Sequence, residues 1–171
     1  ILAEFRKITD LPIKTIILTH SHRDHVSGAS IFAEGGNPEI LASTHFSEDS
    51  LFVASDHLQP AKAMQVRTKR QFGIDLSYPD EIIGIGVGPG ERPLKGMGAG
   101  ALPPTRRIGD EGEKLSIHGI DLALVHAPGE TPDHIVVWYA DKKVLICGDN
   151  FYRSFPNLYP PRGTAYRDFD S

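Results

Sequence analysis

An apolar, β-branched run, Ile13-Lys14-Thr15-Ile16-Ile17-Leu18-Thr19, leads directly into His20-Ser21-His22-Arg23-Asp24-His25. Pro12 stands just before the run, so a buried strand is predicted over 13–19. Its end constrains the fold strongly, because three imidazoles and a carboxylate must find room within six residues. In an extended chain His20 and His22 project to the same side, while Asp24 and His25 come where the backbone turns toward a helix. Imidazole binds Zn²⁺ at about 2.0–2.1 Å and carboxylate at about 2.0–2.2 Å, and these neighbours can serve two ions rather than one. A polar surface turn has no need of three imidazoles. At the C-terminal end of a buried strand the cluster reads as a site.

The rest of the chain supplies the frame. Ser27 to Ala33, closed by Gly35-Gly36, suits a short helix leaving a tight site, and Glu39 to Ala42 reads as a second strand. The spacing of Leu51, Ala54, Leu58, Ala61, Met64 and Val66 is helical, with Pro60 kinking one helix or separating two. Residues 84–100 hold seven glycines and are followed by Leu102-Pro103-Pro104, which predicts a long ordered loop or lid. Gly96 to Ala101 has the glycine spacing of a dinucleotide fingerprint, but no strand precedes it and two prolines stand where its helix should start. From Lys114 onward the patterning has period two: 114–117, a His118-Gly119 turn, 121–126, then 135–140, a turn at Asp141 to Lys143, and 144–148. Two hairpins facing one another are predicted, in a mixed α/β sandwich with helices outside and sheets inside.

Composition narrows the partners. The 171 residues are 40% hydrophobic, enough for one domain with a real core, and 17 glycines with 13 prolines point to many loops on a compact scaffold. The 18 basic residues are balanced by 22 acidic ones and form no run longer than two, which argues against nucleic acid as a partner. No apolar stretch approaches the roughly 20 residues of a membrane span. The single cysteine, Cys147, reads as a small buried residue near a strand end, and Trp138 and the Phe151 to Phe155 segment as core or pocket wall. His45, His57, His118 and His126 have no ligand partner at suitable spacing and read as solvated or hydrogen-bonded; His134, close behind Glu130, reads as a structural group or one supporting a ligand.

The segment Thr-His-Ser-His-Arg-Asp-His-Val-Ser-Gly, residues 19–28, resembles the histidine motif of the metallo-β-lactamase superfamily. That resemblance implies a four-layer αββα sandwich with two metal ions at one edge. In most of the superfamily a later Pro-Gly-His and a Gly-Asp complete the site. The matching segments here are Pro128-Gly129-Glu130 and Gly148-Asp149, so glutamate stands where histidine is usual. This departure resembles the alkyl sulfatase branch, as do the Gly-rich stretch ending at Thr105 and the segment Phe155-Pro156-Asn157-Leu158-Tyr159-Pro160-Pro161-Arg162-Gly163.

The resemblance implies two zinc ions, one on His20, His22 and Glu130, the other on Asp24 and His25, with Asp149 bridging. Asp24 and Asp149 would be catalytic carboxylates beside a metal-activated water, and Asn157 and Arg162 would hold the sulfate. Three carboxylates and a bridging hydroxide leave two dications near neutrality, so capture of an anionic ester falls to a guanidinium, whose planar fork matches two sulfate oxygens. The expected activity is hydrolysis of sulfate esters of alkyl alcohols, with the apolar chain near 84–105 and 151–159. Other hydrolases of the superfamily, acting on thioesters, lactones or phosphoesters, and a non-catalytic metal-binding module are the alternatives. Only 19 residues precede His20 and no histidine follows Asp149. The expectation is therefore one catalytic domain over 1–171, incomplete at both ends and lacking the family's C-terminal dimerisation domain. Such a piece is expected to be unstable or inactive alone, with homodimers only in the full-length protein and the location in the cell left open.

Overall fold

The computed structural model describes residues 1–47, 66, 69–70, 75–77, 80–81 and 100–151. The predicted helical stripe from Leu51 to Met64 and most of the 84–100 loop lie outside the described residues. After a one-turn helix, α1 (Leu2–Phe5), the chain runs through β1 (Thr15–Ile17), α2 (Arg23–Val26), α3 (Ala29–Ala33) and β2 (Glu39–Ser43). It continues with β3 (Arg106–Ile108), β4 (Glu113–Ile117), β5 (Ile120–His126), β6 (Ile135–Tyr139) and β7 (Val144–Ile146), with 3₁₀ turns at Ala140–Lys142 and Gly148–Asn150.

Strands β1, β2 and β3 form a parallel sheet in that order, with Ile16 opposite Ile40 and Ala42 opposite Arg107. Parallel pairing needs a crossover, and α2 and α3 provide it between β1 and β2. Alternation then sorts the side chains. Ile16, Leu18, Ile40 and Ala42 face one way and pack with Val26 of α2 and Phe46, while Ile17 and Leu41 face the other. On that second face Leu41 and Ile108 meet Leu124 and Val137 of the other sheet, so the two sheets pack face to face around a shared apolar layer. The α/β class and the two stacked sheets agree with the sequence reading.

The second sheet is antiparallel in the order β4-β5-β6-β7. Its first turn has positive φ at both His118 (51°) and Gly119 (82°), the backbone of a tight hairpin turn matched to strand twist. The two predicted hairpins do not face one another. They lie side by side in one sheet, because β5 pairs with β6 through Ala123–Trp138 to His126–Ile135. β3 was not foreseen. On the face turned away from the shared layer, Val125, Trp138 and Leu145 are exposed, and Phe151 is 64% exposed, so of the core and pocket-wall alternatives for Trp138 and Phe151 the core one is corrected. Cys147, just after β7, is half-buried.

Candidate metal centre

The chain leaves β1 under control from both sheets. The Leu18 N–H donates to the Leu41 carbonyl at 2.9 Å, and the Thr19 carbonyl accepts from the Ile135 N–H at 2.8 Å. His20 therefore emerges where the sheets meet and is fully buried. His22 is the extended residue before α2, and that single helical turn, anchored by buried Val26, carries Asp24 and His25 round to the same space.

Two other loops close on it. Between β5 and β6 the Ala127 N–H donates to the His134 carbonyl at 2.9 Å and the Gly129 N–H to the Thr131 carbonyl at 3.2 Å, a tight turn that holds Glu130 at 2% exposure. After β7 the 3₁₀ turn presents Asp149. Gly148 there has φ of 49°, and a Cβ would lie 2.7 Å from His134 Nε2, so backbone and space both require glycine.

These elements bring together His20, His22, Asp24, His25, Glu130 and Asp149. His20 Nε2 lies 3.0 Å from His22 Nδ1, and His22 Nδ1 lies 3.7 Å from Glu130 Oε1. His25 Nε2 is 3.2 Å from Asp149 Oδ2 and 3.6 Å from Asp24 Oδ2. One ligand atom each from His20, His22, Glu130 and Asp149 fall within 4.8 Å of one another, as do those of Asp24, His25 and Asp149. Asp149 is common to both groups. Nitrogen and carboxylate donors at such spacing, several buried, suit a divalent cation of the zinc or iron kind.

The pocket also prepares the imidazoles. Burial, then the neighbouring His25, His134 and His22, push His20 down to about 2, against a smaller opposing pull from Asp149. Burial likewise lowers His134 to about 4, opposed by Asp133 and Asp149. Both rings are thus neutral at physiological pH, and a neutral imidazole is the form that binds a metal.

His134 stacks on His20 with ring centroids 4.7 Å apart and accepts the Asp149 N–H on Nε2 at 3.2 Å. It touches one candidate ligand and the backbone of another. Sequence reasoning missed Asn150 altogether. Its Oδ1 accepts the Glu130 N–H at 3.1 Å and its Nδ2 donates to the Ala127 carbonyl at 2.6 Å, stapling the Glu130 turn to the Asp149 turn. Gly129 leaves the space, since a Cβ there would overlap the Asn150 amide. The only sequence signal was its place beside Asp149. Asn150→Ala is expected to cost about 2 kcal/mol in urea unfolding of the metal-free protein, because it strands two backbone groups. It is also expected to weaken zinc binding roughly 10–100-fold. Unchanged values in both measurements would mean the turn is held by other contacts.

Asn157 and Arg162 lie outside the described residues, as does His57. The described residues include no helix long and apolar enough to cross a membrane.

The sequence pattern of the metallo-beta-lactamase superfamily matches residues 2–171. The chain is 32% identical over 173 aligned positions to a linear primary-alkylsulfatase of a Pseudomonas species, covering 98% of this chain and 32% of that protein. It is 29% identical to the alkyl/aryl-sulfatase BDS1 of Saccharomyces cerevisiae, over 96% of this chain and 26% of that one. The chain thus spans between a quarter and a third of the length of these relatives. Among solved structures, the BLEG-1 B3 metallo-beta-lactamase superposes with a TM-score of 0.61 at 17% identity, over 98% of this chain and 65% of that one, a likeness of fold.

Proposed function

The chain belongs to the metallo-beta-lactamase superfamily, and on that premise we propose that it carries the metal centre of a zinc-dependent hydrolase cleaving sulfate esters of alkyl alcohols. The observation that carries this reading is Glu130: a buried carboxylate, rather than an imidazole, stands with His20, His22 and Asp149. Similarity to alkylsulfatases from a bacterium and a yeast over nearly the whole chain supports it.

His20, His22 and Glu130 would hold one ion, Asp24 and His25 the second, and Asp149 would lie between the two. Zinc, when bound, would lower the pKa of a coordinated water toward about 7, so a nucleophile would be available without a strong side-chain base. The protein's part is to keep His20 neutral by burying it, fix the Glu130 and Asp149 turns through Asn150, and exclude water from His20. Three carboxylates offset most of the cationic charge. Sulfate is then recruited by Arg162, with Asn157 as a neutral partner, through the fork geometry that a guanidinium offers to paired oxygens.

The test is release of inorganic sulfate from dodecyl sulfate by the zinc-loaded full-length protein. Turnover is expected, and Arg162→Ala should lower kcat/KM roughly 10–100-fold, the loss of a hydrogen bond between charged partners. Turnover of a thioester or lactone with no sulfate release would overturn the sulfatase reading and favour another hydrolase of the superfamily. A purified protein with well under one zinc per chain, unrestored by added metal, would favour a non-catalytic role.

A further inference from the structure

Two histidines that have no partner nearby in sequence acquire one in space. His45 follows β2, Asp110 follows β3, and His126 ends β5. Because β1, β2 and β3 run parallel, the turns after them emerge at one edge of the sheet, so this group sits on the same edge as the turn carrying His20. His45 Nε2 lies 2.8 Å from Asp110 Oδ1, and His126 Nδ1 lies 3.7 Å from the same oxygen. The two rings stack at 5.1 Å between centroids with 18° between planes. The three ligand atoms fall within 4.8 Å of one another.

The protonation of His126 follows from its far side. Its Nε2 is 2.8 Å from the Pro132 carbonyl, which only accepts, so Nε2 carries the proton. In the neutral ring Nδ1 then bears a lone pair directed at Asp110 and His45. A backbone carbonyl fixing the tautomer of an imidazole in this way is the usual support behind a metal-binding histidine. The His126 side chain is only 12% exposed, and the backbone N–H of His45 donates to Ser43 Oγ at 3.0 Å while its imidazole is half exposed. Asp110, 64% exposed, is free to adjust and leaves the group open to solvent. A surface pair explains His45 against Asp110. It does not explain why a second ring, its tautomer set from behind, turns a lone pair toward the same carboxylate oxygen, an arrangement that repels unless a proton or a cation lies between.

We infer that His45, Asp110 and His126 form a further binding site for a divalent transition-metal ion, separate from the His20 cluster. Two imidazoles with one carboxylate select a borderline cation such as Zn²⁺ or Ni²⁺ over Mg²⁺ or Ca²⁺, which prefer all-oxygen sites. One carboxylate against a dication leaves a net positive charge on this edge, with coordination positions open to solvent.

The test is calorimetric titration with zinc, together with metal analysis, on the full chain and on His20→Ala/Asp149→Ala, which takes ligands from both ion positions of the first centre without touching this one. This readout involves no substrate, so it succeeds or fails independently of the sulfatase reading. One equivalent of zinc should bind the double variant at micromolar concentrations. Adding His45→Ala should abolish it, and Asp110→Asn, which removes the charge at constant shape, should weaken it at least about tenfold. In the otherwise intact chain His45→Ala should lower the zinc content by one, which keeps the result readable if the double variant folds poorly. Unchanged zinc content in His45→Ala would overturn the inference. So would ¹⁵N shifts showing His126 doubly protonated at neutral pH in the zinc-saturated protein, since a simple ion pair with Asp110 would then account for the geometry.

Discussion

Glu130→Gln is expected to reduce zinc-dependent stabilisation and to lower sulfate release at least about 100-fold, while leaving the metal-free protein as stable as before or more so. The two effects have opposite signs for one physical reason. Glu130 is 2% exposed, and burying a carboxylate costs more than burying an amide of the same shape. Without a cation the charge is a burden on the fold. With a cation it is a donor, and its loss should exceed the 10–100-fold penalty typical of groups one step removed from a metal. An ion at a hundred times its Kd adds about 2.7 kcal/mol to the folded state. Melting with and without zinc reads the zinc-induced shift directly, and Glu130→Gln should lose the share contributed by the ion on His20, His22 and Glu130. Equal zinc-induced shifts in the variant and the parent would overturn the assignment of Glu130 as a ligand, whereas a merely structural glutamate would lower the melt with or without metal.

How much of this was legible beforehand depended on sequence distance. The His20 to His25 cluster could be read because its members fall within six residues at the end of an apolar strand, where periodicity and ligand chemistry coincide. β3 could not. Arg106-Arg107-Ile108 has no strand pattern of its own and becomes a strand by pairing with Leu41, Ala42 and Ser43, while Arg107 reaches the Phe46 carbonyl at 2.9 Å. His45 and His126 are hydrogen-bonded, as their sequence context suggests, but spacing cannot show their partners: the Asp110 that meets His45 is 65 residues away in sequence. The misplaced hairpins have a related cause. Period-two patterning assigns residues to faces, but whether two hairpins pair edge to edge or stack depends on the turn between them. Here that turn, from Ala127 to His134, is the one drawn tight around Glu130.

The metal-free protein should lose stability steeply as pH falls from 7 toward 4, and zinc should delay the loss. His20 and His134 each carry an ordinary value of 6.5 in the unfolded chain, against about 2 and about 4 in the fold. Depressed values in the native state mean that below pH 6.5 the unfolded chain binds protons that the native one refuses. Stability therefore rises with pH through this window and falls as acid is added, by up to about 1.4 kcal/mol per pH unit for each group. Below about 4 His134 protonates in the fold as well, and only the His20 contribution continues. Urea midpoints measured between pH 7 and 4.5 should show this slope, and His134→Gln should remove about half of it by eliminating one of the two groups. A flat profile, or an unchanged slope in His134→Gln, would mean these rings accept protons without opening the structure. Zinc competes for the same lone pairs that acid would occupy, so the saturated protein should hold its midpoint to lower pH until proton binding by the unfolded chain outweighs the ion. The neutrality that makes the fold acid-sensitive also keeps these imidazoles ready to bind a metal, so the pH at which zinc protection fails reads both properties in one titration.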